Sequence, residues 1–278
     1  MIVVAGATGN VGRTLVRLLV EAGERVTAVS RGVPAEGAHP DVRHVRADLT
    51  EPASLRPAFD GATALFLLTS GDFTAHGGDG TVLGEVLDLA RAGGVERVVL
   101  LSSQGVGTGR HKPDLEEAVT GSGLEWTVLR PGGFASNSYA WAGTVRGQRL
   151  AAAPFADVAL PVIDPDDIAG VAAAALLETG HGGRTYVLTG PAAVTPRQQV
   201  AAIGDALGEP VRFVELSRDE ARAGMTAFMP EVIADATLDI LGTPTADEQR
   251  VSPDVERVLG RPAGSFADWA ARNAAAFK

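Results

Sequence analysis

The chain has 278 residues with ordinary proportions of hydrophobic (45%) and charged (21%) side chains, which excludes a disordered or fibrous protein and suits one large α/β domain with a smaller lobe. The absence of cysteine excludes disulfides and thiolate metal sites. Neither a signal peptide nor an apolar run of the ~20 residues needed to span a membrane is found, so we expect a cytoplasmic protein without a membrane partner. The net charge of −10 predicts that the protein repels nucleic acids.

The first half of the chain alternates short β-branched runs with amphipathic segments of helical length. Leu15, Leu18 and Leu19, for example, share one face of a helix. Apolar runs without alternation are typical of strands buried on both faces, so the order predicts a Rossmann-type, doubly wound parallel sheet. The predicted strands cover residues 1–5, 25–30, 42–47, 64–69, 95–101 and 126–129.

After about residue 135 the pattern changes and predicts a small C-terminal α/β lobe. Thr195 is expected to cap a helix over Pro196–Leu207 that ends at Gly208. The other predicted elements are a helical or irregular segment over 138–147, helices over 167–178, 231–241 and 266–277, and strands over 185–188 and 211–216. We therefore expect a first domain over residues 1–150, with a late strand and helix returning to it near 162–190. A smaller lobe over 191–278 is expected to meet it at a cleft above the strand ends.

The turn Gly6-Ala7-Thr8-Gly9-Asn10-Val11-Gly12 lies where the first strand becomes the first helix. Glycines allow the sharp bend and let backbone amides approach a pyrophosphate, while the helix N-terminus adds partial positive charge. Gly12 is expected to let the helix pack on the sheet. A glycine-rich turn without a ligand is the alternative, but its strand–turn–helix context favours a nicotinamide dinucleotide. The first domain is thus expected to bind NAD(P), and the second to hold the substrate.

The residues that follow the second and third predicted strands bear on which cofactor is bound. At the end of the second strand, enzymes that prefer NAD place a carboxylate for the ribose 2′-hydroxyl, whereas this chain has Ser30 and Arg31. Arginine forms a charged fork with a 2′-phosphate, which favours NADP(H) over NAD(H), although NAD(H) stays open and a solvated loop arginine is the alternative. Asp48, followed by Leu49, is placed to accept a hydrogen bond from the adenine amino group. Capping of a helix that begins near Pro52 is the alternative for this aspartate.

Several further segments carry a family resemblance. They are Val-Leu-Leu-Ser-Ser at 99–103, Ser-Gly-Leu-Glu-Trp-Thr-Val-Leu-Arg-Pro at 122–131, Phe-Ala-Ser-Asn at 134–137, Asp-Ile-Ala at 167–169, and Gly-Arg-Pro at 260–262 followed by Phe266. Together with the glycine turn, and in this order, they resemble the NmrA-like atypical short-chain dehydrogenases/reductases over nearly the whole length. Within that group the chain looks most like the NAD(P)H:quinone oxidoreductase type 2 branch.

The acid–base residues depart from those of the wider superfamily. Classical and extended members use a Tyr-x-x-x-Lys pair, but here glycine follows both Tyr139 and Tyr186 at the lysine position, which is typical of the atypical group. In isoflavone-reductase-like relatives a lysine that opens a helix transfers the proton, and the resemblance places Lys112 there. Glu116 follows at the i, i+4 spacing of a helical ion pair. The alternative for Lys112 is an ordinary surface lysine.

Polar residues at strand ends are further candidates for the site. Ser102 and Ser103 are expected to face the nicotinamide ribose or the substrate, and Thr69 and Ser70 to line the cofactor; plain caps are the alternative.

The segment that follows Arg130 supplies the remaining candidates. By resemblance, Pro131, Gly132 and Phe134 approach the nicotinamide, and Asn137 approaches the substrate; packing is the alternative for Phe134 and Asn137. The five histidines show no ligand spacing, so no metal is predicted.

These features lead to a first hypothesis, an NADPH-dependent oxidoreductase that reduces a small conjugated carbonyl compound such as a quinone. In this hypothesis, the catalytic residues are Lys112, Asn137 and Ser102. A second hypothesis, implied by the resemblance, is a non-catalytic redox sensor of the NmrA type that binds NAD(P)(H). A third is a tailoring reductase or isomerase in a biosynthetic pathway. The oligomeric state stays open, and a homodimer is compatible with all three.

Overall fold

The computed structural model describes residues 1–32, 39–69, 73 and 77–278. The chain forms two compact units, of which the first comprises Met1–Pro131 and Pro165–Val187, and the second Gly132–Asp164 and Leu188–Lys278. The second unit therefore takes residues 132–150, which the sequence pattern had placed in the first domain. The reason is that the strand at 150–154 pairs inside the second unit and adds nothing to the large sheet.

The strands of the molecule are β1 (Ile2–Ala5), β2 (Val26–Ser30), β3 (Val42–Arg46), β4 (Ala64–Leu68), β5 (Arg97–Leu101), β6 (Glu125–Pro131), β7 (Leu150–Pro154), β8 (Arg184–Leu188) and β9 (Arg212–Leu216). The first unit is built on a seven-stranded sheet with the order β3-β2-β1-β4-β5-β6-β8. The pairings from β3 through β6 are all parallel. The predicted doubly wound Rossmann architecture is confirmed.

Helices pack on the sheet through their apolar faces. Leu15 and Leu19 of the first helix are fully buried, as its 3.6-residue pattern predicts, and Leu18 lies on the edge of that face. The helices of this unit are α1 (Asn10–Glu21), α2 (Arg56–Phe59), α3 (Gly80–Ala92), α4 (Gln104–Gly107), α5 (Asp114–Thr120) and, after the excursion through the second unit, α7 (Pro165–Leu177). Helix α7 is buried along almost its whole length and packs beside α1, where Thr14 Oγ1 donates a hydrogen bond to Asp166 at 2.8 Å.

The second unit joins a parallel two-stranded ribbon, β7–β9, to a set of short helices. These are α6 (Ala142–Gln148), α8 (Pro196–Leu207), α9 (Arg218–Thr226), α10 (Glu231–Gly242), α11 (Ala246–Gln249), α12 (Asp254–Leu259) and α13 (Phe266–Arg272). Its core gathers Phe266, Trp269 and Phe277 around α8. Thr195 caps α8 and Gly208 ends it with φ +74°, both as the sequence predicts. Along the described part of the chain, no helix has the length and apolar character needed to cross a membrane.

Candidate functional site

The glycine turn has the geometry of an anion-binding strand-to-helix junction. Gly6 adopts φ +72°, a left-handed conformation that favours glycine, and its amide donates to Val29 O on the neighbouring strand. Gly9 precedes α1 in an extended conformation and has no side chain to cap the first turn of the helix. A diphosphate suits this junction, because the first turn of a helix presents backbone amides and partial positive charge to an anion.

Gly12 is required by the turn itself. A Cβ at this position would lie 2.1 Å from Gly6 O and 2.8 Å from Ala7 Cα. The missing side chain thus lets the first turn of α1 sit on the backbone of the glycine turn. The contact that requires glycine here is with the turn itself, whereas the sequence predicted a contact between the helix and the sheet.

A cavity of about 470 Å³ opens beside this turn, wholly within the first unit. Six residues predicted from the sequence to bind the cofactor line it: Gly6, Thr8, Gly9, Arg31, Asp48 and Leu49. Sequence reasoning did not single out the other lining residues, among them Thr50, Leu68 and Phe73. The cavity is bounded by the ends of β1, β2, β3 and β4, which is the edge of a doubly wound sheet where nucleotides bind.

Asp48 organises one wall of this cavity. Its Oδ1 accepts hydrogen bonds from the amide and the hydroxyl of Thr50, both at 2.9 Å. The residue before the helical turn at Pro52 is Glu51, which makes no side-chain capping bond. Asp48 therefore holds a local turn and does not cap that helix, so the alternative stated for it is wrong.

The strand ends nearer the middle of the sheet carry the predicted polar residues. Thr69 is half-buried after β4, whereas Ser70 lies outside the described residues. Ser103 is the N-cap of α4, because its Oγ accepts from Gly105 N at 3.1 Å. Ser102 has a different partner: its hydroxyl donates to Glu116 Oε1 at 2.5 Å.

Glu116 is also held by an arginine from β6. Arg130 Nε donates to Glu116 Oε1 at 3.0 Å, and a terminal guanidinium nitrogen donates to Oε2 at 2.6 Å, so the pair is a two-point fork. Only 7% of Glu116 is exposed. The hydrogen bond with Glu116 raises the pKa of Arg130 above its ordinary value. Ser102 and Arg130, both partly buried, join the buried Glu116 in one connected group, which we call the Ser-Glu-Arg cluster.

The predicted ion pair between Lys112 and Glu116 is wrong. Lys112 is exposed in the loop before α5, which begins only at Asp114, so helical i, i+4 spacing does not apply to it. Glu116 turns inward to Arg130 instead. Among the described residues, no carboxylate lies within ion-pair distance of Lys112, and its role in catalysis stays a prediction.

The segment after β6 belongs to the second unit from Gly132 onward. Gly132 N donates to Leu188 O at 2.9 Å, and Phe134, half-buried, pairs with Ile163 in an isolated parallel bridge. Asn137 is exposed on the 3-10 helix Ala135–Trp141, between the buried Ser136 and Ser138. Pro131, the last residue of β6, is buried.

Both tyrosines bond to partners other than lysine. The Tyr139 hydroxyl donates to Asn273 Oδ1 at 2.5 Å. Its ring stacks on Phe277 and lies tilted against Trp269. The Tyr186 hydroxyl lies 2.9 Å from His181 Nδ1. Over the residues that the structure describes, no group of three or more His, Asp or Glu side chains could hold a metal ion.

Comparison with known proteins decides what the glycine turn serves. The sequence profile of the NAD(P)H-binding family matches residues 6–179. The chain belongs to this family. It is an NAD(P)H-dependent oxidoreductase, and its fold is shared with NmrA, as the predicted resemblance implies.

Two relatives align over the full length of this NAD(P)H-binding protein. The (4-alkanoyl-5-oxo-2,5-dihydrofuran-3-yl)methyl phosphate reductase of Streptomyces griseus is 37% identical over 100% of this chain and 99% of its own. The NAD(P)H azoreductase of Xenophilus azovorans is 33% identical over 100% of this chain and 99% of its own. Among solved structures, an NADPH-dependent quinone oxidoreductase of Escherichia coli complexed with NADPH has the same fold. Its TM-score is 0.81 at 24% identity, covering 98% of this chain and 99% of that one.

Proposed function

We propose that this protein transfers hydride from NADPH to a small conjugated, electron-poor acceptor such as a quinone. The proposal is carried by one combination in this chain: a cofactor turn with the geometry that a diphosphate requires, and tyrosines that both lack the usual lysine partner. A conjugated acceptor suits such a site, because the charge left after hydride transfer spreads onto an electronegative atom that a single donor or water can protonate.

The relatives support the acceptor class. Their names describe reduction of an alkanoyl-substituted unsaturated lactone, an azo compound and, in Escherichia coli, a quinone. These compounds differ in shape and in the atoms that are reduced, but each contains a conjugated double bond that can accept a hydride. We therefore propose conjugation as the shared requirement for this chain too.

The chain's own residues are proposed to bind and orient the reactants. When bound, the reduced nicotinamide supplies the hydride. The amides of residues 6–12 hold the diphosphate, Arg31 pairs with the 2′-phosphate, and Asp48 accepts from the adenine amino group. Thr69, Pro131 and Gly132 line the cofactor, and Phe134 approaches the nicotinamide, as the family resemblance implies. Catalysis of this kind depends mainly on positioning.

Two exposed side chains are proposed to act on the acceptor. Lys112 carries a side-chain amine, a group that can deliver the proton that completes the reduction. Asn137 is proposed to orient the acceptor through its amide, the role that the resemblance implies.

Oxidation of NADPH in the presence of a panel of acceptors tests this function. The panel contains a benzoquinone, a naphthoquinone, an azo dye and an alkanoyl-substituted butenolide phosphate, with a non-conjugated ketone as the control. We expect turnover with conjugated members and none with the ketone. Turnover of the butenolide phosphate alone would instead indicate a dedicated biosynthetic reductase. Tight NADPH binding without oxidation by any acceptor would contradict the proposal and favour a sensor.

A further inference from the structure

The Ser-Glu-Arg cluster fixes where the hydrogen of the Ser102 hydroxyl points. A serine hydroxyl has one hydrogen to donate and two lone pairs to accept with. The partner of Ser102 is a carboxylate oxygen at 2.5 Å, and an ionised carboxylate only accepts hydrogen bonds. Both oxygens of Glu116 also accept N–H donors of Arg130, so the carboxylate faces Ser102 as an acceptor. The single hydrogen of Ser102 is therefore committed to Glu116.

Ser102 lies where its free lone pairs can meet a bound molecule. Ser102 follows directly after β5, at the carboxyl end of the sheet, and is only partly buried. Its lone pairs, which Glu116 does not use, remain available there to accept a hydrogen bond. Ser102 therefore selects a hydrogen-bond donor, rather than an acceptor, on a molecule bound beside it.

We infer that Glu116, clamped by Arg130, is a positioning residue that makes Ser102 a hydrogen-bond acceptor for the nicotinamide half of the cofactor. The inference rests on the proposed function. The nicotinamide half offers ribose hydroxyls and a carboxamide NH₂ group as donors. Ser102 then orients this half and does not protonate the acceptor, which leaves proton delivery to Lys112 or to water.

The test compares two ligands that differ in the nicotinamide half. NADP⁺ contains it, whereas adenosine 2′,5′-bisphosphate lacks it but keeps the adenine, its ribose and the 2′-phosphate. Calorimetry with S102A and E116Q is expected to show NADP⁺ affinity reduced about three- to tenfold, the size of one hydrogen bond. The affinity for adenosine 2′,5′-bisphosphate is expected to stay unchanged in both variants.

The double variant S102A/E116Q separates positioning from mere structural support. If Glu116 acts through Ser102, the double variant binds NADP⁺ no more weakly than S102A alone. S102T, which restores a hydroxyl, is expected to recover the affinity of the wild-type protein. E125Q is the matched control, because Glu125 pairs with Arg97 at 3.2 Å at the opposite ends of the same two strands.

Several results would overturn the inference. They are single variants with wild-type NADP⁺ affinity, equal losses for both ligands, or losses that multiply in the double variant. Should E116Q not fold, E116D keeps a carboxylate for Arg130 but withdraws it from Ser102, so the same selective loss is expected and wild-type affinity would refute the idea. A wild-type protein that fails to bind NADP⁺ would refute the proposed function as well, which distinguishes the two failures.

Discussion

Arg31 and Asp48 place opposite charges on the wall of the cavity beside the glycine turn. The sequence predicted both residues from their positions after β2 and β3, because strand ends of a parallel sheet converge on one edge. The local role of Asp48 was not readable in advance, since its bonds to Thr50 depend on the path of the loop.

Replacing Arg31 with alanine tests the preference for NADP(H). Charged hydrogen bonds contribute about 1.5–3 kcal/mol, so we expect R31A to weaken NADPH binding by about ten- to a hundredfold. NADH binding should not change, because NADH lacks the 2′-phosphate. R17A is the control, since Arg17 is exposed and pairs with Glu21 on α1. Equal affinities of R31A and the wild-type protein for NADPH, measured by calorimetry, would refute the assignment.

Lys112→Ala tests the proposed proton donor. General acids contribute about 10²–10⁴-fold to rate, so we expect kcat to fall at least a hundredfold with little change in KM. Steady-state kinetics with the best quinone provides the measurement. K278A serves as the control, because Lys278 is the only other lysine. Unchanged turnover in K112A would return this residue to the role of a surface lysine.

The Glu116–Arg130 pair was missed because its partners lie on different elements. The sequence shows a helix carboxylate and a strand arginine, and nothing local indicates that they meet. One signal was available: Arg130 ends a buried strand, and a partly buried arginine requires a counter-charge. Lys112 misled the prediction because its distance from Glu116 resembled helical spacing although α5 begins later.

Strands and helices were predicted well where apolar residues set the pattern. β1 to β6 lie within two residues of the predicted bounds at each end. For β1, β2, β4 and β5 the reason is that apolar runs without alternation mark buried strands, whereas the edge strand β3 is only partly buried. β7 was missed, since its sequence Leu-Ala-Ala-Ala-Pro has low β propensity. Its strand conformation comes from pairing with β9, a partner far away in the chain.

Gly12→Ala probes the junction between the glycine turn and α1. The added methyl would overlap Gly6 O, so we expect a loss of about 1–3 kcal/mol in the free energy of unfolding and weaker NADPH binding. Urea denaturation and calorimetry give the two quantities. Gly84→Ala is the control, because a Cβ there meets no atom within 4 Å and alanine favours α3 by up to about 1 kcal/mol. A G12A protein as stable as G84A would show that the turn tolerates a side chain.

The first unit is assembled from two separate stretches of chain. α7 and β8 return to it after the excursion through the second unit, as the expected return near 162–190 implied. The extent of the excursion was not predictable, since nothing in Leu150–Pro154 distinguishes a ribbon strand from a continuation of the large sheet.

A fragment of residues 1–150 tests the importance of this return. It lacks α7, whose buried face includes Ile168, Val171 and Ala172, and which packs beside α1. We expect the fragment to lack a cooperative thermal transition in circular dichroism, whereas the full chain has one, because one face of the sheet loses its cover. A fragment that unfolds cooperatively and binds NADPH would contradict this expectation.

The divided first unit also sets an order of events during synthesis. A ribosome releases the chain from its N-terminus, so the glycine turn emerges early, whereas residue 187 emerges only after the whole of 132–164. Until then the sheet lacks β8 and the covering helix. A nascent chain therefore carries partly uncovered apolar strands until residue 187 has been released, and such strands are prone to aggregation.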